Sequence, residues 1–269
     1  MDDNSTFSDS SLRSVSDKVE VIDVHHWTED LFSFRLKRPQ SFRFKSGEFV
    51  MIGLENAEKK QVLRAYSIAS PSWDDTLLFY SIKVKQGTLT SRLKNIKPGD
   101  QVILKPKSTG TLILDSLKAG TNIFLFSTGT GIAPFASLIR DPEIYQKFDN
   151  IILTHTCRHK FDLAFGEMTL HSMKDDPLIE NSALNKLVYY PTLTKEKGDN
   201  MGRITDLIIS GKFFSDIGVQ GINPVEDRAM LCGSQGFNKE MKVILLARGL
   251  EEGSMNAPKD FVLEKAFAE

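Results

Sequence analysis

The sequence predicts a two-domain fold, in which a small antiparallel β-barrel precedes an α/β domain built on a parallel sheet. Short β-type runs broken by turn residues fill the first part of the chain, which is typical of a barrel. Beyond residue 118 apolar strands alternate with helical stretches, which is typical of a parallel sheet with crossover helices. The length of 269 residues suits two domains of moderate size.

The barrel is predicted from six β-type runs, which cover residues 19–24, 31–36, 49–54, 63–68, 76–84 and 101–105. A short helix is expected at residues 90–96, between the fifth and sixth runs. It is followed by the turn sequence Lys97-Pro98-Gly99-Asp100, whose proline and glycine interrupt regular structure.

The α/β domain is predicted from four units, each a strand followed by a helix. The strands cover residues 122–126, 151–156, 187–190 and 229–231, and the helices cover residues 133–140, 164–175, 204–210 and 236–248. The change of pattern places a boundary near residues 115–120, so we expect a tail at 1–17, the barrel at 18–117 and the α/β domain at 118–269. The tail is rich in Ser and Asp, and we expect it to be disordered.

Composition excludes several classes of protein. No apolar stretch approaches the roughly 20 residues that cross a bilayer, so no membrane span is expected. Residues 2–17 do not have the pattern of a signal peptide, and the two cysteines suit a reducing compartment, so a cytoplasmic location is expected. Two cysteines are also too few for an iron–sulfur cluster, which normally takes four.

The net charge of −1 hides a basic middle segment. Residues 18–117 carry 16 basic and 11 acidic side chains, whereas the segments on either side are acidic. This excess is too dilute to predict nucleic-acid binding, which needs a dense basic stripe. It suits an acidic protein partner or bound phosphates, although an ordinary surface with a random imbalance explains the charge equally well.

A glycine loop opens the α/β domain. The first strand leads into Gly129-Thr130-Gly131, and Pro134 falls in the first turn of the following helix, where its missing N–H costs nothing. Backbone N–H groups at such a helix start can bind a diphosphate. Because the ordinary dinucleotide fingerprint has glycine where this chain has Pro134, the loop predicts phosphate binding of a different type. Taken alone, it is equally well a plain tight turn.

Basic side chains follow the second strand of this domain, where NAD-specific folds place an acid. Arg158 there favours a 2′-phosphate, and therefore NADP(H), over a plain surface role, given the glycine loop before it. The alternating residues His155, Cys157 and His159 resemble a set of metal ligands, but no fourth ligand is evident nearby. We therefore do not expect a metal.

A second phosphate-binding turn is predicted in the barrel. The strand Arg64-Ala65-Tyr66-Ser67 places a cation, an aromatic ring and a hydroxyl together. About twenty residues later a Gly/Thr/Ser turn at residues 87–91 enters the short helix, which is again a helix start suited to phosphate. One such turn in each domain predicts two dinucleotides that meet at the domain interface.

In their order and spacing, four motifs resemble the ferredoxin–NADP(+) reductase family, and the bacterial ferredoxin/flavodoxin reductases most of all. They are Arg64-Ala65-Tyr66-Ser67, Gly87-Thr88-Leu89-Thr90-Ser91, Gly129-Thr130-Gly131-Ile132-Ala133-Pro134-Phe135 and Leu231-Cys232-Gly233-Ser234-Gln235-Gly236-Phe237. The resemblance covers nearly everything after Lys18, and it includes the short segment at residues 261–269. It implies an FAD-binding barrel followed by an NADP(H)-binding domain whose C-terminal segment returns to the flavin.

Carried over to this chain, the resemblance implies that Arg64 meets the FAD diphosphate, that Tyr66 packs on the isoalloxazine and that Ser67 lies close to flavin N5. The other residues implied for the FAD site are Ala65, Ile82, Lys83, Val84, Gly87, Leu89, Thr90, Ser91, Thr130, Ala266 and Phe267. The ordinary alternatives are a core aromatic for Tyr66 and a surface carboxylate for Glu264.

The resemblance also implies an NADP(H) site, formed by Gly129, Thr130, Gly131, Pro134, Arg158, Lys195, Arg203, Cys232, Gly233 and Ser234. The implied catalytic residues are Ser67, which would bond flavin N5, Cys232 in the wall of the nicotinamide site, and Glu264, which would polarise or relay a proton. By itself, Cys232 reads equally well as a small buried apolar residue.

Two positions depart from the family pattern. Ala266 stands where plastid relatives end in a tyrosine stacked on the flavin, and Phe267 could instead stack on the FAD adenine. Lys195 stands where bacterial relatives often have arginine, so the NADP preference would depend more on Arg158 and Arg203 because lysine lacks the bidentate fork.

The expected function is FAD-dependent electron transfer between NADP(H) and a ferredoxin or flavodoxin, with a hydride step followed by single-electron steps. An acidic carrier would dock on the basic barrel, and a monomer is expected. The alternatives are the reductase component of an oxygenase, a free flavin reductase, or a nucleotide-binding regulatory module without enzyme activity.

Overall fold

The computed structural model describes residues 17–84, 87–179, 183 and 185–266. The prediction of a disordered tail and the role implied for Phe267 fall outside the described residues, apart from Asp17 at the end of the tail. No helix within the described part of the chain is long and apolar enough to span a membrane.

Six antiparallel strands form the first domain. They are β1 (Asp17–His26), β2 (Leu31–Lys37), β3 (Phe49–Glu55), β4 (Gln61–Ser67), β5 (Thr76–Ile82) and β6 (Gln101–Thr109), in the order β4-β3-β6-β1-β2-β5. An antiparallel bridge between Ile68 and Phe79 joins the two edge strands, so the sheet closes on itself. The predicted barrel is therefore confirmed.

The side chains that point inward from the strands fill the barrel. Phe32, Phe34 and Phe79 are buried in its core, and the rings of Phe34 and Phe79 stack with centroids 5.3 Å apart. Helix α1 (Thr90–Leu93) brings Leu93 into the same core. This helix ends before the predicted residue 96, because the turns after it are bonded at the shorter i+3 spacing, from the N–H of Asn95 to Arg92 and from the N–H of Ile96 to Leu93.

Five parallel strands form the second sheet, in the order β11-β10-β7-β8-β9. They are β7 (Asn122–Thr128), β8 (Asn150–Cys157), β9 (Leu187–Leu193), β10 (Asp227–Gly233) and β11 (Phe261–Lys265). The helices are α2 (Ile132–Leu138), α3 (Pro142–Lys147), α4 (Ala164–Ser172), α5 (Ile204–Ile209), α6 (Lys212–Asp216) and α7 (Gln235–Ala247). The α/β class is therefore confirmed, whereas the exact limits of the two domains stay a prediction.

Three elements were not predicted from the sequence. Strand β11 pairs with β10 along the edge of the sheet, and helices α3 and α6 follow other helices rather than strands. Helix α3 has a recognisable start, because the side chain of Asp141 accepts a hydrogen bond from the N–H of Glu143 and Pro142 is the first helical residue.

The two domains are packed together along helix α2 and the helix that follows it. The Ser137 hydroxyl donates to the carbonyl of Ser70 at 2.7 Å, and the Ser46 hydroxyl donates to the Asp141 carboxylate at 2.6 Å. Nearby, the ring of Tyr80 on β5 stacks on Phe165 of α4 at 4.1 Å. This interface holds the glycine loop of the second domain against the end of strand β4.

Candidate functional site

A crevice lies where the end of β4 meets the glycine loop. It is small, and its lining comes from both domains and from the end of the described chain. The lining residues are Ala65, Tyr66, Ser67, Tyr80, Ser81, Thr130, Ala133 and Ala266. The residues predicted to hold a flavin ring are thus brought to one place.

The ring of Tyr66 is held in a fixed orientation. It packs edge-on against Phe34 and Phe79, and its hydroxyl accepts a hydrogen bond from Ser81 Oγ at 3.3 Å. Burial raises the pKa of the Tyr66 phenol, so the ring stays neutral. Tyr66 is therefore both a barrel-core aromatic and a wall of the crevice, and Ser67 follows it at the end of the strand.

Arg64 connects strand β4 to the turn before helix α1. Its Nη2 donates to Thr88 Oγ1 at 3.1 Å. A Cβ added at Gly87 would collide with the Thr90 hydroxyl, so the turn requires glycine there. The guanidinium and the turn therefore form one side of a site that suits phosphate.

Two other residues predicted for this site have side chains that are engaged within the barrel. Leu89 is buried in the barrel core, and Lys83 donates through Nζ to the carbonyl of Thr28 at 3.2 Å. Ile82 pairs with Leu31 across strands β5 and β2. The remaining members of the stretch from strand β5 to helix α1 are Val84, half-buried, Thr90, buried, and Ser91, half-buried.

The glycine loop is a single 3₁₀ turn, Gly129–Gly131, that leads directly into α2. Gly129 has a φ of +53°, which favours glycine. A Cβ added at Gly131 would lie 2.6 Å from the carbonyl carbon of Cys232, so only glycine fits against the end of β10. Pro134 is buried in the first turn of α2, as predicted.

A buried histidine that was not assigned a role from the sequence contacts this loop. His155 is fully buried on β8, and its Nε2 lies 2.9 Å from the carbonyl oxygen of Gly129. Its Nδ1 lies 3.3 Å from the Tyr189 hydroxyl, and Cys157 Sγ lies 3.2 Å from Nε2. Burial lowers the pKa of His155 to about 4, so the imidazole is neutral.

Cys232 and Glu264 lie side by side on neighbouring strands. They are paired in the register of β10 and β11, and Cys232 is fully buried. The Glu264 Oε1 atom accepts hydrogen bonds from the Thr111 N–H and from Thr111 Oγ1. Burial raises the pKa of the Glu264 carboxyl, and the bonds from Thr111 oppose that rise. Burial also raises the pKa of the Cys232 thiol well above its usual range.

The turn after β10 is tied to both the glycine loop and the end of the described chain. The N–H of Ser234 donates to Thr128 Oγ1 at 3.2 Å, and the Ser234 hydroxyl caps helix α7 by accepting from the N–H of Phe237. The N–H of Ala266 donates to the carbonyl of Gly233 at 3.0 Å. These bonds bring the glycine loop, Gly233 and Ala266 together beside the crevice.

Two of the three predicted phosphate-binding cations lie on adjacent backbone. The N–H of Lys195 donates to the carbonyl of Arg158 at 3.1 Å, and both side chains are exposed. Arg203 precedes helix α5, and its guanidinium is ion-paired with Glu240. The Gly202 N–H donates to Leu193 at 2.9 Å, which ties this third position to the end of β9.

Within the described residues, no group of three His, Cys, Asp or Glu side chains could hold a metal ion. His155 and Cys157 face each other and the glycine loop, whereas His159 follows the strand and is exposed.

Comparison with known proteins places these features in a family. A family model described as an oxidoreductase FAD-binding domain matches residues 18–112. A flavodoxin/ferredoxin–NADP reductase from Rhodobacter capsulatus is 52% identical over 264 residues, which cover 98% of each protein. A ferredoxin–NADP reductase from Azotobacter vinelandii is 46% identical over 93% of this chain and 96% of that protein. A solved ferredoxin NADP+ reductase from Neisseria gonorrhoeae, with bound FAD and NADP, has a TM-score of 0.84 at 26% identity, over 94% and 99% of the two chains.

Proposed function

This chain belongs to the ferredoxin–NADP(+) reductase family, and from that premise we propose how its residues divide the reaction. The protein is an FAD-dependent oxidoreductase that transfers electrons between NADP(H) and a ferredoxin or flavodoxin. When bound, FAD exchanges a hydride with the nicotinamide and single electrons with the protein carrier. The protein itself supplies alignment, charge and exclusion of water.

The crevice is the observation that carries the assignment of residues. It is lined by strand β4, by Thr130 of the glycine loop and by Ala266, so it lies where an FAD domain and an NADP(H) domain would meet. The small side chains at positions 133 and 266 lie beside Tyr66 in this lining, and the Arg64 guanidinium and the Gly87 turn suit a diphosphate. The chemistry of the residues present therefore suits FAD, with its ring at the crevice and its diphosphate at Arg64 and the Gly87 turn.

Ser67 in the lining of the crevice, and Cys232 and Glu264 on the neighbouring strands β10 and β11, have distinct roles in this proposal. Ser67 donates a hydrogen bond to the reacting edge of the ring. Cys232, which is buried and protonated, forms an uncharged wall for the nicotinamide. Glu264 keeps a proton more readily than an exposed carboxyl does and passes it at the same edge.

The NADP(H) end of the site is assigned to the second domain. The glycine loop meets the diphosphate, and Arg158 with Lys195 holds the 2′-phosphate. Arg203 joins them by exchanging its ion pair with Glu240 for the phosphate. In this division residues 18–117 bind FAD and residues 118–269 bind NADP(H).

Substitution of Arg158 by alanine tests this assignment. A charge-assisted hydrogen bond to phosphate contributes about 1.5–3 kcal/mol, so kcat/KM for NADPH should fall about 10- to 100-fold while kcat/KM for NADH stays unchanged. The matched control is Lys174→Ala, which removes an exposed cation from the segment after α4. An unchanged NADPH-to-NADH ratio in the Arg158 variant would remove this residue from the phosphate site.

The carrier is an acidic ferredoxin or flavodoxin that docks on the basic barrel, which carries 16 basic and 11 acidic side chains over residues 18–117. Added salt should therefore lower kcat/KM for the protein carrier, because the attraction between exposed charges is screened. Turnover with a neutral quinone acceptor should stay constant. Carrier reduction that is indifferent to ionic strength would refute electrostatic docking.

A monomer in the cytoplasm completes the proposal. Both cysteines are free and buried, which suits a reducing compartment. Sedimentation at micromolar concentration tests the monomer, and cell fractionation tests the location.

A further inference from the structure

A buried polar group behind the glycine loop has no part in the function proposed above. It consists of His155, Cys157 and Tyr189, and we refer to it as the His155 cluster. His155 is completely buried on β8, and Tyr189 lies beside it on β9. Buried polar side chains need partners, and the partner of the imidazole Nε2 is the backbone carbonyl of Gly129.

The hydrogen bonds assign the imidazole to one tautomer. A carbonyl oxygen can only accept, so His155 Nε2 carries the proton that it donates to Gly129 at 2.9 Å. Nδ1 is then an acceptor, and the Tyr189 hydroxyl donates to it across 3.3 Å. The Tyr189 hydroxyl thereby keeps the proton of His155 on the side that faces the glycine loop.

The packing around this pair leaves room for the Tyr189 bond. A Cβ added at Gly166 on helix α4 would lie 3.1 Å from His155 Nδ1 and 3.2 Å from the Tyr189 hydroxyl oxygen. Contacts at these distances are tighter than nine in ten real Cβ contacts, so the histidine and the tyrosine would have to shift. Glycine at position 166 therefore lets α4 close over the histidine and the tyrosine without separating them.

Fixing the Gly129 carbonyl also fixes the next amide. The carbonyl and the N–H of one trans peptide point in opposite directions. Because the Gly129 carbonyl points inward to His155, the N–H of Thr130 points outward, and Thr130 lines the crevice. The Gly129 carbonyl also accepts from the N–H of Ile132 within the 3₁₀ turn, so His155 adds a second donor that ties this peptide to strand β8.

We propose that His155 is a positioning residue for NADP(H), which orients the Gly129–Thr130 peptide so that its N–H meets the dinucleotide diphosphate. This inference rests on the proposed function, because it requires the glycine loop to bind that diphosphate. His155 does not touch the ligand. His155 acts through the Gly129–Thr130 peptide, and Tyr189 supports it by keeping the imidazole protonated on Nε2.

Equilibrium binding of two ligands to the FAD-loaded protein tests the proposal. NADP+ contains the diphosphate, whereas adenosine 2′-phosphate has the 2′-phosphate and adenosine alone. Titration calorimetry on His155→Phe should show NADP+ bound about tenfold more weakly, which corresponds to about 1.4 kcal/mol. Binding of adenosine 2′-phosphate should stay within twofold of the wild type. His155→Gln, which restores an N–H donor, should recover most of the NADP+ affinity.

Loss of affinity for both ligands, or for neither, would overturn the proposal. If His155→Phe does not fold with FAD, Tyr189→Phe and His155→Gln provide the test. The tyrosine variant should weaken NADP+ about threefold without affecting adenosine 2′-phosphate, and unchanged NADP+ binding would contradict the role of the tautomer. Failure of the wild type to bind either ligand would instead refute the proposed NADP(H) site, independently of His155.

Discussion

Replacement of Gly131 by alanine tests whether the close approach of the glycine loop to strand β10 matters for the reaction. The added Cβ would lie 2.6 Å from the carbonyl carbon of Cys232 and 3.1 Å from the N atom of Gly233, whereas real Cβ contacts essentially never fall below 3.0 Å. Both obstacles are backbone atoms, so no side chain can rotate away. The nearest atom, the carbonyl oxygen of Cys232, would lie only 2.0 Å away, so the loop and the end of β10 must separate by about 1 Å to reach 3.0 Å.

The magnitude follows from this displacement. Overpacking of this kind costs about 1–3 kcal/mol in the free energy of unfolding. A misplacement of about 1 Å can lower a rate about 100-fold, so kcat/KM for NADPH should fall about 10- to 100-fold. FAD content should stay close to that of the wild type, because Gly131 is not among the residues that line the crevice.

The assay combines urea unfolding with steady-state oxidation of NADPH by ferricyanide. Gly211→Ala is the matched control for stability, since Gly211 has a φ of +79°, has no atom within 4 Å of an added Cβ and lies outside the site. That substitution should cost about 1–2 kcal/mol without changing kcat/KM. Wild-type turnover by the Gly131 variant would refute the reasoning that the close approach of the loop to the end of β10 matters for the oxidation of NADPH.

Two further predictions concern the buried carboxyl and the domain interface. Because burial raises the pKa of Glu264 above its ordinary 4.5, its contribution to folding stability is present below that pH and is lost as pH rises through the folded pKa. The stability of the wild type relative to Glu264→Gln should therefore fall across this window, as measured by Tm at a series of pH values, and a constant difference would contradict the raised pKa. Ser137→Ala removes the 2.7 Å bond to Ser70 between the domains and should cost about 1–2 kcal/mol in urea unfolding. Ser172→Ala, which loses a bond of the same length at an exposed position, should cost less than about 0.5 kcal/mol, and equal losses would argue against a structural role for the interface bond.

The fold was predictable because different connections separate the strands in its two halves. Turn residues separate the strands of the barrel, whereas helices separate the first four strands of the parallel sheet, which are largely buried, as in β10. Strand β11 was missed because its five residues have no helix after them and depend on pairing with β10 for their position. Helix α3 could have been found from Asp141-Pro142-Glu143, which has both a capping side chain and a proline at the first helical position.

Parts of the site were predictable from the sequence only where the residues of a motif follow one another in the chain. The loop from Gly129 to Pro134 and the strand from Arg64 to Ser67 are contiguous, so their geometry is encoded within a few residues. Thr111 bonds Glu264 across 153 positions, and the ion pair of Arg203 with Glu240 spans 37. Such partners leave no pattern in the sequence, because they meet only after the two sheets have formed.

His155 illustrates the same limit. Its spacing from Cys157 and His159 suggested metal ligands, yet its imidazole also contacts the Gly129 carbonyl and the Tyr189 hydroxyl, which lie 26 and 34 positions away. A short sequence pattern cannot separate a histidine that binds a metal from one that holds a backbone carbonyl. Only the arrangement of β7, β8 and β9 in the sheet makes that distinction.

An anaerobic titration of the FAD-loaded protein with NADPH and, separately, with NADH tests the central claim most directly. About one equivalent of NADPH should bleach the yellow flavin absorption, and the same amount of NADH should bleach it far more slowly. Added oxidised ferredoxin or flavodoxin should restore the colour. A protein that binds no FAD, or whose flavin NADPH leaves unbleached, would contradict the account.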